Sequence, residues 1–221
     1  MVAATPAREP FANLPPCGRR RPVQRGTVLR RDWDPEDPVS SDETDRGKPG
    51  TFTVASALGT GSESAARGLV FEYMVSTLVE TGRVPPATEE ELPLPLRREL
   101  EHLTSVYRQP GALFAAYSGV RGVGCVGVAL RDEDHVAEIK RLYVQPEFRG
   151  KGVATMLMTC AHAHALRHGI ARLILDVLPA REQAISLYRD LGYEETEPFA
   201  TEALSPMTYM ERVTGQGKLP R

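Results

Sequence analysis

Cysteine is scarce in this chain of 221 residues, with three in all, at positions 17, 125 and 160. They are too few and too scattered for a disulfide framework, and they fall in no metal-ligand pattern, so no bound metal is expected. Such usage points to a reducing, cytoplasmic setting. Cys125 lies in an apolar strand pattern and Cys160 on a helical one, where thiols pack as small apolar side chains. Surplus charge is also missing. The 27 basic and 29 acidic residues leave a net charge of −2, which offers no general pull toward nucleic acid or an anionic membrane. No apolar run approaches the roughly 18 residues of a membrane-spanning helix, and there are no internal repeats. What is present is ordinary for a soluble globule: 41% hydrophobic and 25% charged residues, enough for one domain with or without a tail.

Residues 1–50 are read as a disordered extension. Proline, arginine and acidic residues dominate, with Arg19, Arg20 and Arg21 followed by Asp32, Asp34, Glu36 and Asp37. Such a segment cannot bury enough apolar surface to offset chain entropy. No apolar stretch follows the arginine run as a secretion signal needs, and Leu14-Pro15-Pro16-Cys17 lacks the one a lipoprotein signal requires.

From residue 51 the pattern is regular. Thr51 to Leu58 alternates as a first strand. Val70, Met74 and Leu78 mark a helix that Gly82 closes, and Leu96, Leu100, Leu103 and Tyr107 mark a second, stopped by Pro110-Gly111. Residues 112–117, 123–130 and 136–144 read as three strands joined by short turns, hence antiparallel. A helix follows to Gly169. The apolar strand over 171–178 is expected to run parallel to its predecessor, because a helical crossover separates them. A helix over about 181–191 and a closing hairpin over 193–196 and 206–213 complete an α/β chain with a mixed sheet.

The informative stretch is Glu138 to Ala154. Its first half is a strand ended by Pro146, which has no N–H for a sheet ladder. Its second half is the basic glycine loop Arg149-Gly150-Lys151-Gly152, and Val153 opens a helix. The first amides of a helix lack internal partners, and its dipole adds positive charge there. Glycines let the backbone turn and approach a ligand closely. The combination suits a diphosphate or similar anion. A Walker A loop is excluded, since Lys151-Gly152 supplies no Lys-Ser or Lys-Thr. A dinucleotide-binding reading keeps Gly150 and Gly152, with Asp176 at a suitable distance downstream. It places Thr155 where a third glycine belongs, and it needs a βαβ opening where the chain shows a meander.

Arg149-Gly150-Lys151-Gly152-Val153-Ala154 resembles the Arg/Gln-x-x-Gly-x-Gly/Ala signature of the GCN5-related N-acetyltransferase (GNAT) family. Ala184-Ile185-Ser186-Leu187-Tyr188, with Leu191-Gly192-Tyr193 after it, resembles the family's later Ala-x-x-Leu-Tyr…Gly-Phe segment. The resemblance runs from about residue 51 to 213. It implies a GNAT-like mixed sheet in the order β-α-α-β-β-β-α-β-α-β-β over residues 51–213, leaving 214–221 as a C-terminal tail. It also implies acetyl-CoA as acyl donor. The main-chain groups of Leu142, Tyr143 and Val144 would meet the pantetheine arm, and the amides of Arg149, Gly150, Lys151, Gly152, Val153 and Ala154 would hold the diphosphate. Glu138, eleven positions before Arg149, matches the family's base in its histone-acetyltransferase branch, with an ion pair to Lys140 as the other reading. Simple alternation puts it on one strand face with Lys140, Leu142 and Val144. Tyr188 matches the acid that protonates the leaving thiolate.

Arg181 stands where the family often has asparagine, free to pair with a CoA phosphate or to face water. His162, His164 and His168 read as a solvated helix face, because only the latter two share a side and no third ligand is in sight. Asp176 ends its strand near the expected cleft. The implied activity is N-acetylation of a primary amine on a small molecule or peptide. A non-catalytic acyl-CoA-binding module and an oxidoreductase are the alternatives. The acceptor would be set by residues 63–107 and 193–213, where Glu72 and Glu80 could attract a cationic amine, and the closing hairpin could pair across a homodimer.

Overall fold

The computed structural model of the chain describes residues 51–59, 62–200 and 206–215. The expected disordered extension over 1–50 and the tail from 216 lie outside the described residues. The elements are β1 (Phe52–Ser56), α1 (Glu63–Glu80), α2 (Leu94–Glu101), α3 (Leu103–Val106), β2 (Ala112–Ser118), β3 (Arg121–Leu130), β4 (Val136–Val144), α4 (Val153–Arg167), β5 (Arg172–Val177), α5 (Glu182–Asp190), β6 (Glu194–Glu195) and β7 (Thr208–Val213). The mixed α/β order is the expected one except for one break. The helix anticipated over 96–107 is interrupted at His102, whose backbone leaves the helical region (φ −124°, ψ 37°) and divides α2 from α3.

The seven strands form one sheet in the order β1-β2-β3-β4-β5-β7-β6. β1 to β4 are an antiparallel meander. β5 runs parallel to β4, as a helical crossover requires. On one face α1, α2 and α3 pack through Leu69, Val70, Met74, Leu78, Leu100, Leu103 and Tyr107 against Leu113, Ala115, Cys125 and Ala129. On the other face lies α4, whose Leu157 meets β3 above Gly124 and whose His164 ring packs edge-on against Phe114 of β2. Among the described residues no helix is long and apolar enough to cross a membrane.

Two features of this frame shape the site. β4 and β5 pair only through Val136, Ala137 and Glu138 against Arg172, Leu173 and Ile174. Beyond Glu138 the strands part, so the edge of β4 from Ile139 to Val144 faces a gap. β4 is also bulged. Tyr143 pairs with Cys125 and Lys140 with Gly127, so three steps on β4 oppose two on β3, and Arg141 takes a left-handed conformation (φ 58°). A bulge of this kind reverses the facing of every later side chain.

Candidate active site

α4 starts as its sequence dictates. Gly150 (φ 71°) and Gly152 (φ 81°) both adopt the left-handed backbone that favours glycine, and Gly152 is the residue just before the helix. No side chain caps this end. The first bond back into the helix runs from the Met156 amide to the Gly152 carbonyl (3.0 Å). The amides of Gly152, Val153, Ala154 and Thr155 therefore have no acceptor among the described residues. Nothing lies within 4 Å of where a Cβ would stand on Gly150 or Gly152, so the mouth is open as well as unpaired. An anion fits it.

Arg149 plays a different part from the one its position suggests. Its amide is spent on the Pro146 carbonyl (3.2 Å), and its Nε donates to the Val144 carbonyl at 3.0 Å. It fastens the loop to the end of β4, and the amides left for an anion begin after it. Lys151 stands over the Phe148 ring, its Nζ 5.2 Å from the centroid.

Glu138 sits at the root of the gap, 7% exposed. Its carboxylate lies 3.2 Å from Arg131 Nη1 and 3.6 Å from Lys140 Nζ. Lys140 shares its face, but Leu142 and Val144 do not continue it. The bulge at Arg141 turns Val144 toward α4, where its Cγ2 flanks Gly124 beside Leu157, and turns Tyr143 toward α1, where its ring meets Tyr73 edge-on at 6.5 Å. Tyr143, not Val144, thus follows Glu138 and Lys140 along the wall facing α1.

Tyr188 lies on the inner side of α5, its ring 5.6 Å from that of Tyr193. Burial raises its hydroxyl pKa, nearby Tyr73 and Asp176 add to the effect, and Arg181 opposes it. The phenol therefore keeps its proton at neutral pH. No hydrogen bond joins Tyr188 to Glu138 among the described residues.

Glu99 and Arg141, which the sequence left unassigned, and Arg181, which it set against a phosphate or water, are structural members of this wall. Glu99 of α2 accepts two hydrogen bonds from Arg141, at 2.8 and 2.6 Å, and one from the Tyr107 hydroxyl at 2.9 Å. Burial works against its ionisation, but the Arg141 guanidinium, with help from Lys140 and Tyr107, holds the carboxyl at about 2. This pair fixes the left-handed residue of the bulge. Arg181, expected to meet a phosphate or water, instead donates to Glu80 (2.6 Å) and Thr77 (2.8 Å). It lies over the Tyr73 ring, with Arg141 about as close. Charge pairs between distant positions leave no periodic signal, so only the isolated Arg181 departure could have drawn notice.

Of the three histidines read as a solvated face only His168 is exposed. His162 and His164 are buried, 4% and 7% exposed. His164 Nε2 bonds the Pro110 carbonyl at 2.8 Å. The Arg212 Nη1 donates to His162 Nδ1 at 2.7 Å, and His162 Nε2 lies 3.0 Å from the Tyr193 hydroxyl. A guanidinium can only donate, so His162 is neutral with its proton on Nε2. Burial first, then the Arg212 charge, pushes its pKa down to about 3.

The acetyltransferase (GNAT) family model matches residues 76–193, more than half of the chain. The chain belongs to the GNAT family. It is 34% identical over 101 residues to the uncharacterised N-acetyltransferase YjgM of Escherichia coli (strain K12), a match covering 44% of this chain and 60% of that one. The chain thus spans less than two thirds of that relative's length. Among solved structures, an acetyltransferase of the GNAT family from Staphylococcus aureus Mu50 superposes with a TM-score of 0.59 at 15% identity, over 74% of this chain and 99% of that one. A phosphinothricin acetyltransferase from Sinorhizobium meliloti, solved with acetyl-CoA, gives a TM-score of 0.56 at 22% identity, over 77% and 92%. At these identities the likeness is one of fold. The dinucleotide-binding alternative gives way, since the strand before the glycine loop closes an antiparallel meander, and the GNAT model spans both glycine motifs.

Proposed function

We propose that this GNAT protein is an acetyl-CoA-dependent N-acetyltransferase acting on a primary amine, with residues 51–213 as its catalytic unit. The observation that carries the reading is the run of unpaired amides from Gly152 to Thr155 at the open mouth of α4, which follows the free edge that β4 shows after it leaves β5. The amides from Gly150 onward would hold the diphosphate, and the free edge of β4 at Leu142, Tyr143 and Val144 would offer main-chain groups to the pantetheine arm. Bound acetyl-CoA supplies a thioester carbonyl for the amine nitrogen to attack. As the C–N bond forms and the C–S bond breaks, Glu138 takes the proton shed by nitrogen, directly or through water, and Tyr188 gives its proton to the departing sulfur. Glu138 is suited to the first task by its place at the root of the gap, and Tyr188 to the second by a phenol that stays protonated. Sparse cysteine usage favours a cytoplasmic setting for this reaction.

Calorimetry with acetyl-CoA, CoA and NAD tests the reading, followed by thiol release in the presence of amines. Binding of the first two but not NAD, and thiol release only when an amine is added, is the expected result. Binding without amine-dependent release would leave a regulatory acyl-CoA module in its place.

A further inference from the structure

α1 presents Phe71, Glu72, Val75 and Ser76 on one side, as helical spacing requires. With Pro86 and Tyr143 they line a cavity of about 370 Å³, a size that holds a small molecule. Its walls are largely apolar: the Phe71 and Tyr143 rings, Val75 and Pro86. Only one of these lining residues is charged, Glu72. Both of its oxygens lie 3.1 Å from Gln145 Nε2. The Tyr143 phenol beside it is pushed up to about 12, by burial first and then by the Glu72 charge and hydrogen bond. Both neighbours are neutral donors.

Most cations around the cavity are committed to carboxylates elsewhere, and Arg149, whose charge also acts on Tyr143, is held by its Nε to the Val144 carbonyl. Arg141 is paired with Glu99, Arg181 with Glu80 and Arg121 with Glu147, while Lys140 sits between Glu138 and Glu99. Glu72 forms no ion pair among the described residues. One uncompensated carboxylate in an apolar recess attracts an ammonium and repels an anion.

We infer that this cavity binds the acceptor, and that the acceptor is a primary amine on an apolar or aromatic body that carries no carboxylate, with Glu72 pairing its ammonium. The inference rests on the acetyltransferase reading above, because Tyr143 places the cavity against the strand along which the thioester would lie. An α-amino acid would bring a carboxylate to Glu72, and Arg149, the guanidinium in range that no carboxylate holds among the described residues, is fastened to the Val144 carbonyl at the end of β4.

The test compares 2-phenylethylamine with phenylalanine, which share ring and amine and differ by the carboxylate. Thiol release should give a kcat/KM at least about tenfold higher for the amine, one like-charge contact being enough for that ratio. Glu72→Gln should raise the KM for 2-phenylethylamine about tenfold and leave the KM for acetyl-CoA in place. The unaltered protein gives a second readout: trimethyl(2-phenylethyl)ammonium should compete with the amine, and 3-phenylpropionate should not. Equal or better use of phenylalanine, or inhibition by the anion alone, overturns the inference. So does acetylation of peptide or polyamine acceptors with none of 2-phenylethylamine, a result that leaves the acetyltransferase reading standing. Failure to bind acetyl-CoA by calorimetry removes both.

Discussion

Two regions flank the free end of β4, and they are built from opposite materials. The mouth of α4 is made of backbone: two left-handed glycines, four unpaired amides and no capping side chain. The wall facing α1 is made of side chains drawn from α1, α2, β4 and the loops at Arg131 and Arg181, with Glu99, Arg141, Lys140, Glu138 and Arg131 in contact and the Tyr73 ring between two guanidinium groups. A backbone site needs only a local conformation, and a short run of residues can encode it. A side-chain wall needs distant positions to arrive together. The first kind of site binds what every member of a fold family shares, and the second is free to differ between members.

That contrast can be broken from either side. The largest effect belongs to the wall. Glu99→Gln strands the buried Arg141 charge, and losing one partner of a buried pair costs about 3–5 kcal/mol, read as a fall in the urea midpoint. If the midpoint holds, the wall is not under electrostatic tension at all. Tyr188→Phe should lower kcat about 100-fold while acetyl-CoA affinity in calorimetry stays the same. An equal loss in affinity would make Tyr188 part of the binding surface and not a proton donor.

His162 supplies a pH test away from both regions. Its folded pKa, about 3, lies below the ordinary value of 6.5, so the unfolded chain binds more protons between those limits and stability rises with pH there. The stabilisation is complete above pH 6.5 and is lost as the pH falls toward 3, by about 2 kcal/mol on reaching pH 5. Urea unfolding followed across that range should show the slope, and His162→Phe should flatten it. The smallest effect belongs to the backbone mouth. Gly152→Val forces a branched residue to a φ of 81°, at a cost of about 1–2 kcal/mol, and should weaken acetyl-CoA binding at least about tenfold. Val153→Ala at the next position should cost stability and leave binding alone. The reverse order would mean that side chains, not amides, carry the mouth.

The same division explains what the sequence disclosed. The strand, glycine loop and helix from 138 to 167 are legible because alternation, glycine and helical spacing are local signals, and the helix begins at Val153 as they require. The bulge was not, because Arg141 is not a glycine. Its left-handed backbone is held by Glu99, 42 positions away, and one hidden residue there transferred Val144 and Tyr143 to opposite faces. His162 and His164 read as polar for a similar reason. The groups that satisfy them, Arg212, Tyr193 and Pro110, lie in elements the helical pattern cannot see. The sequence offered Glu72 and Glu80 alike as attractors of an amine, and that Glu80 is paired with Arg181 while Glu72 forms no ion pair among the described residues is a property of their neighbours.

The place of β7 bears on how the chain comes to be folded at all. Although it is the last described strand, it is bracketed by β5 and β6, and it alone covers the outer edge of β5 along its whole length. During synthesis, then, the meander and α4 can settle early, while the second half of the platform waits with a raw flank until residues 208–213 emerge. A ribosome stalled shortly before that point would hold a protein whose sticky border is β5 itself.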